Sequence, residues 1–228
     1  GYCSRRKAEE LISSGKVEVN GEVVTKLGTT VKPGDVITVE GNILDTSREF
    51  EYYLLNKPKG VVTTTSDEKG RKTVVDLINT NTRIYPVGRL DYDTTGILIL
   101  TNDGELANLL MRPDSFVDKT YIAKIEGVIT IGNIQKLRKG VIIDGIKTKE
   151  AKVKLRSVDK KKNTSIVEIT IHEGKNHQIK RMFEVLGYKV IKLRREKYAN
   201  LNLKGLMPGE YRSLSIKEVK VLYSLCKK

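Results

Sequence analysis

Three acidic side chains, Asp91, Asp93 and Asp103, lie with Arg89 in one stretch, Gly88-Arg89-Leu90-Asp91-Tyr92-Asp93-Thr94-Thr95-Gly96-Ile97-Leu98-Ile99-Leu100-Thr101-Asn102-Asp103-Gly104. A carboxylate can serve as a nucleophile, as a general acid or base, or as a hard oxygen ligand for a cation. Far down the chain, Gly174-Lys175-Asn176-His177-Gln178-Ile179-Lys180-Arg181-Met182 supplies cations and one histidine. A cation beside a carboxylate keeps it ionised and fixes its direction. Between them, Lys119-Thr120-Tyr121 offers an aromatic ring with a hydroxyl. The same residues have an ordinary structural explanation as turn-forming aspartates, a core tyrosine and a surface charge pair.

What would position these groups is legible in the pattern of apolar residues. Ile97 to Thr101 reads as a buried strand directly behind the Asp91 loop, and a packed strand fixes a neighbouring carboxylate closely. Asp118 to Ile125 alternates as a strand carrying Tyr121. Ile179, Met182, Phe183 and Leu186 form a helical stripe that leaves Lys180 and Arg181 on other faces. Further strands are expected over Tyr52–Asn56, Ala151–Ser157, Ile166–Ile171 and Tyr188–Leu193, and helices over Gly104–Met111, Ile131–Arg138 and Ile216–Leu225. Thr73 to Ile78 reads as a short helix, Thr63 to Lys72 as a polar loop over a cleft, and Arg194-Arg195-Glu196-Lys197 as a basic cluster. Short helices among repeated strands predict an α+β domain rather than a doubly wound one.

The first 43 residues read as a separate unit. Ser4 is an N-cap for a helix with the stripe Ala8, Leu11 and Ile12, which leaves Arg5, Arg6 and Lys7 toward its polar side. Basic residues in a first turn oppose the helix dipole, and an external anion would relieve that opposition. Asn20-Gly21 suits a tight hairpin, and Lys32-Pro33-Gly34-Asp35 turns into Val36–Val39. Residues 44 to 50 read as a linker into a larger unit over 51 to 228.

Forty-two Lys and Arg against 28 Asp and Glu give a net charge of +14. Residues 1 to 49 hold seven basic and eight acidic side chains, so the excess lies in the remainder. Between Lys147 and Asn163 there are eight basic and two acidic residues. Such a field favours a polyanion such as RNA or DNA. No apolar run approaches the length of a membrane span, no signal peptide is visible, and two cysteines at opposite ends support neither a disulfide framework nor a thiolate zinc site. The dinucleotide and phosphate-loop fingerprints are missing from the sequence. A cytoplasmic, monomeric protein without metal or cofactor is expected.

Ser4-Arg5-Arg6-Lys7-Ala8-Glu9-Glu10-Leu11-Ile12, Val17-Glu18-Val19-Asn20-Gly21 and Val31-Lys32-Pro33-Gly34-Asp35 resemble an S4-type RNA-binding domain. That resemblance implies that most of a first helix precedes Gly1. The Gly88–Gly104 stretch, Lys119-Thr120-Tyr121 and Gly174–Met182 together resemble the bacterial ribosomal RNA pseudouridine synthases of the RsuA/RluB/RluE/RluF family, over nearly the whole chain. The resemblance implies an S4-like domain followed by a catalytic domain with a mixed, mainly antiparallel sheet. It implies Asp91 as the essential catalytic carboxylate, Tyr121 as the ring that stacks on uracil, and Lys180 as the partner of Asp91. It implies RNA contacts from Arg89, Asn176, His177, Gln178 and Arg181, and an apolar wall from Leu193 near the base pocket. The implied product is pseudouridine within ribosomal RNA, with large-subunit RNA preferred over small-subunit RNA. One departure stands out: Ala199 occupies a position where the family usually has glycine, so a turn or close backbone approach there would be strained.

Two other classes of function remain compatible with the residues. Asp91, Asp93 and Asp103 could ligate magnesium in a phosphodiesterase. A non-catalytic ribosomal RNA-binding or assembly protein would need the charge but not Asp91 together with Tyr121.

Overall fold

The computed structural model describes residues 2–45, 49–112 and 115–226. Residues 46–48 of the expected linker lie outside them. The chain divides into two compact units, one of residues 1–50 with 81–83 and one of 51–80 with 84–228.

In the smaller unit, α1 (Arg5–Ser13) starts where the Ser4 hydroxyl accepts from the Lys7 amide at 3.2 Å, the expected N-cap. Four short strands follow, β1 (Val17–Val19), β2 (Glu22–Val23), β3 (Ile37–Val39) and β4 (Asn42–Ile43), in the order β2-β1-β3-β4. Asn20 and Gly21 both take positive φ in the β1–β2 turn, as a tight hairpin demands. The Asn20 side chain also accepts from the Val36 amide and donates to Asp35, which ties the two hairpins together.

The larger unit contains β5 (Tyr52–Lys57), β6 (Tyr85–Pro86), β7 (Thr95–Thr101), α2 (Gly104–Met111), β8 (Lys119–Glu126), α3 (Ile131–Lys139), β9 (Ile142–Ile143), β10 (Ile146–Lys147), β11 (Lys152–Asp159) and β12 (Thr164–Ile171). After these come α4 (Gln178–Glu184), β13 (Val190–Tyr198), β14 (Leu201–Asn202), β15 (Tyr211–Ser213) and α5 (Ile216–Cys226). The main sheet runs β11-β12-β8-β13-β7-β5-β15, with β14 beside β13 and β6 beside β7. Every pairing is antiparallel except β13 with β7. Mainly antiparallel pairing in a mixed sheet is the expected architecture.

Both faces of the central strands are covered, which explains their continuous apolar runs. Leu54, Ile97 and Ile99 pack with Leu106, Ala107 and Leu110 of α2 and Leu222 of α5. Leu55, Leu98 and Leu100 join Ala123, Ile125 and the stripe Ile179, Met182 and Phe183 of α4. Two elements differ from expectation. The segment at residues 73–78 makes only a 3₁₀ turn (Val75–Leu77), because Asp76 accepts from both the amide and the hydroxyl of Thr73 and closes a tighter ring. The strand expected over Tyr188–Leu193, β13, does not stop at Leu193 but runs on through the basic cluster, because β8 and β7 pair with it there.

Candidate active site

The loop carrying Asp91 is held through its backbone before its side chain makes any contact. Lys57, at the end of β5, is fully buried, and its ammonium donates to the carbonyls of Pro58 (3.1 Å), Asp91 (3.1 Å) and Thr94 (3.0 Å). Burial pushes its pKa down to about 8. The Thr63 hydroxyl donates to the Leu90 carbonyl at 2.6 Å and accepts from the Leu90 amide at 3.3 Å. Thr63 therefore clamps the loop, although its segment reads from sequence as a polar cover. Neither Lys57 nor Thr63 is legible as a site residue. The Lys57-Pro58-Lys59-Gly60 turn suggests solvent, and the sole hint is that Lys57 continues a strand buried on both faces.

The Asp91 carboxylate meets two side chains at the start of α4. Lys180 Nζ lies 3.0 Å from Asp91 Oδ2 and 2.7 Å from Asp93 Oδ1, and His177 Nε2 lies 3.3 Å from Asp91 Oδ1. Partial burial works against the Lys180 charge, yet the hydrogen bonds and fields of Asp93 and Asp91 outweigh it and raise its pKa. The Lys180 hydrogen bond in turn lowers the pKa of Asp93. His177 adopts the left-handed conformation at φ +49, immediately before α4 begins.

Asp91 lines a cavity of about 780 Å³ with Arg89, Tyr121, Asn176 and His177. Arg112, Lys119, Lys147, Lys149, Lys175 and Arg195 also reach it, while Glu173 is the one other carboxylate in the lining. Tyr121 comes from β8 directly across from Arg195 on β13. Arg195 is 3 % exposed and donates from Nε to the Ile97 carbonyl at 2.7 Å and from Nη1 to the Tyr121 hydroxyl at 3.5 Å. Its Nη2 finds no acceptor among the described residues. The guanidinium also lies 5.2 Å from the centre of the Tyr198 ring, a cation–π distance. Burial, aided by the charge of Arg195, pushes the pKa of Lys119 down to about 8. Arg195 is thus a wall of the cavity rather than part of a solvated cluster. Its parity with buried Leu193, two residues earlier, is the signal that the alternation continued.

The other expected contact residues separate into groups. Gln178 is 4 % exposed; its side-chain oxygen accepts from the Lys175 amide at 2.9 Å and its nitrogen donates to Glu173. It braces the loop before α4. Leu193 packs in the main core, in the same cluster as Tyr121, and is not itself a lining residue. Arg181 pairs with Asp144. Ser4, Arg5, Arg6 and Lys7 belong to the smaller unit, where Arg5 and Arg6 are exposed and Lys7 pairs with Glu10 at 3.0 Å.

Asp103 does not join Asp91 and Asp93. It is 1 % exposed and caps α2, accepting from the amides of Glu105 and Leu106 and from the hydroxyls of Tyr52 and Tyr223. The three-aspartate arrangement that a two-metal phosphodiesterase would need is therefore not assembled. Among the described residues, no three His, Cys, Asp or Glu side chains gather to hold a metal ion, and no helix is long and apolar enough to cross a membrane.

Comparison with known proteins adds to this geometry. The family model described as RNA pseudouridylate synthase matches residues 51–185, and that of the S4 domain matches residues 1–37. The chain is 55 % identical to the Bacillus subtilis protein named ribosomal large subunit pseudouridine synthase B, over 99 % of this chain and 92 % of that protein. It is 40 % identical to the Escherichia coli K12 dual-specificity RNA pseudouridine synthase RluF, over 99 % of this chain and 76 % of that protein. A crystal structure of a pseudouridylate synthase superposes with a TM-score of 0.70 at 32 % identity, covering 96 % of this chain and 94 % of that one.

Proposed function

Because this chain belongs to the RNA pseudouridylate synthase family, we propose that it isomerises a specific uridine of large-subunit ribosomal RNA and that Asp91 is the group that engages the ribose. The observation that carries the site assignment is the ion-pair cluster around Asp91, a lining residue of the cavity, in which one ammonium holds Asp91 at 3.0 Å and Asp93 at 2.7 Å.

The reaction exchanges one glycosidic bond for another without net loss of atoms. The C1′–N1 bond breaks with its electron pair leaving on uracil N1, the base turns, C5 bonds to C1′, and the C5 proton is lost while N1 regains one. An ionised Asp91 can attack C1′, or it can remove the C2′ proton to give a glycal intermediate. Either role needs the carboxylate charged and aimed, which Lys180 and His177 supply at its two oxygens. The Tyr121 ring would hold the detached uracil, with its hydroxyl beside the exchanging proton. Arg195 would fix that hydroxyl relative to β7, the strand that follows the Asp91 loop. The cations of the cavity lining suit a polyanion, and an extruded nucleotide is required because the target carbon is inaccessible in a stacked helix. Arg89 is positioned to contact a phosphate or to keep the uridine extruded.

Large-subunit RNA is favoured by the name that the Bacillus subtilis relative carries at 55 % identity. The reading takes the protein to be a monomer acting where ribosomes assemble, in the cytoplasm. Incubation with unmodified ribosomal RNAs, followed by mapping at nucleotide resolution, tests the reading. New pseudouridine at one large-subunit position is expected. A site in small-subunit RNA alone would move the target, and no pseudouridine in either RNA would reject the activity.

A further inference from the structure

Phe116 sits just before β8, five residues ahead of Tyr121, and is 65 % exposed. Single exposed apolar side chains are ordinary on protein surfaces. This one has particular neighbours. The His172 ring lies 5.5 Å from it, tilted by 34°, and the Lys149 ammonium lies 5.2 Å from its ring centre. His172 and Lys149 both line the catalytic cavity, as do Lys147 and Arg112.

The grouping is held by backbone contacts rather than by the rings alone. The Lys119 ammonium donates to the His172 carbonyl at 3.3 Å, and the Lys149 amide donates to Glu173 Oε1 at 2.9 Å. The loop after β12 and the segment after β10 are thereby fixed to each other beside the start of β8. An exposed ring with a second ring 5.5 Å away and an ammonium 5.2 Å from its centre, beside a cavity lined by further cations, matches what unpaired nucleic acid requires. Bases stack on aromatic rings while Lys and Arg take the flanking phosphates.

We propose that Phe116 and His172 form a stacking platform for an unpaired nucleobase that flanks the target uridine, with Lys147, Lys149 and Arg112 meeting the adjacent phosphates. This rests on the reading of the cavity as the pseudouridine-forming site. No more than about 18 Å of extended chain separates Phe116 from Tyr121, a span that a few nucleotides of single strand can bridge. The platform selects for an unpaired base next to the target without reading its identity, since every base offers a π-face. A continuous duplex around the target would leave the platform empty.

The test uses the full chain and a large-subunit RNA fragment that it binds, together with copies in which each nucleotide is made abasic in turn. Replacing Phe116 with alanine is expected to raise KM and the equilibrium dissociation constant on intact RNA by about 5- to 100-fold, with kcat within twofold. Phe116→Trp should restore binding. On the one abasic RNA that lacks the stacked base, wild type and Phe116→Ala should bind equally, because the interaction is already gone. Unchanged binding by Phe116→Ala on intact RNA, or the same loss on every abasic RNA, overturns the platform and leaves the ring for some other partner. Anisotropy binding reads the platform without turnover. A protein that binds in this pattern yet makes no pseudouridine would therefore reject the proposed reaction and keep the platform.

Discussion

Asp91 and Asp103 lie twelve positions apart in one stretch of sequence, yet the fold gives them opposite surroundings. Asp103 is sealed at 1 % exposure and saturated by neutral donors, two backbone amides on one oxygen and two tyrosine hydroxyls on the other. Those tyrosines, Tyr52 and Tyr223, have their pKa values raised, first by burial and then by the hydrogen bond to Asp103. Asp91 is partly open to a cavity and faces groups that carry or can carry positive charge, Lys180 and His177. The contrast separates a carboxylate that shapes the protein from one that can act on something else. Neutral donors spend all the lone pairs on structure, whereas a charged partner at the edge of a cavity leaves the oxygens accessible to a substrate.

The largest effect should come from Asp91→Asn, which keeps the shape and removes the charge. Pseudouridine formation should fall on the order of 10⁴-fold, while thermal stability and RNA affinity stay close to wild type. Turnover within tenfold of wild type would break the comparison at its functional end. Asp103→Ala should behave in the opposite way. Loss of a helix cap and of two buried hydroxyl acceptors is expected to cost about 3 kcal/mol of stability, with kcat retained in the molecules that remain folded. Denaturant titration beside single-turnover rates separates the two quantities.

Much of this division is hidden in the sequence for a physical reason. Apolar periodicity reports which face of an element is buried, and so β7, β8, β12 and the α4 stripe follow from it. It also allows for the Asp91 loop, because a buried strand follows. It does not report a buried cation, since lysine and arginine beside prolines, glycines or other charges read as solvent-facing. Lys57 and Arg195 are both concealed in this way, and each donates to main-chain carbonyls of distant segments. Those partner atoms belong to the backbone, so no spacing of residue types could announce them. Gln178 is hidden in the other direction: a polar residue in a charged loop turns inward, where two loop groups use its amide.

pH sharpens the comparison with a smaller effect. Above the Lys57 pKa of about 8, the amine has one proton fewer with which to hold the Asp91 loop, so kcat should decline several-fold. Stability moves the other way for this group. An unfolded lysine keeps its proton to about 10.4, so between the two values the unfolded chain binds more protons and stability rises with pH. A kcat that falls between about pH 8 and 9.5 without a matching drop in Tm is expected for this group; a parallel drop in both would assign the loss to unfolding.

The smallest effect belongs to Ala199, at the turn between β13 and β14. It holds φ +52, a conformation that costs a residue with a Cβ about 1 kcal/mol, and its amide donates to the Asp118 carbonyl at 2.8 Å. Ala199→Gly should raise stability by about that amount and leave turnover unchanged, as measured by urea midpoint and initial rate. A change in rate would put this turn on the functional side of the division.

The single parallel pairing in the main sheet has a further consequence. β7 and β13 meet at only Thr95 with Arg194 and Gly96 with Arg195, and a methyl group on Gly96 would lie 2.2 Å from the Arg195 carbonyl oxygen. The strand that follows the Asp91 loop and the strand that pairs with the Tyr121 strand are thus joined where one residue has no side chain. The gauge between those two side chains is set by hydrogen standing in for carbon.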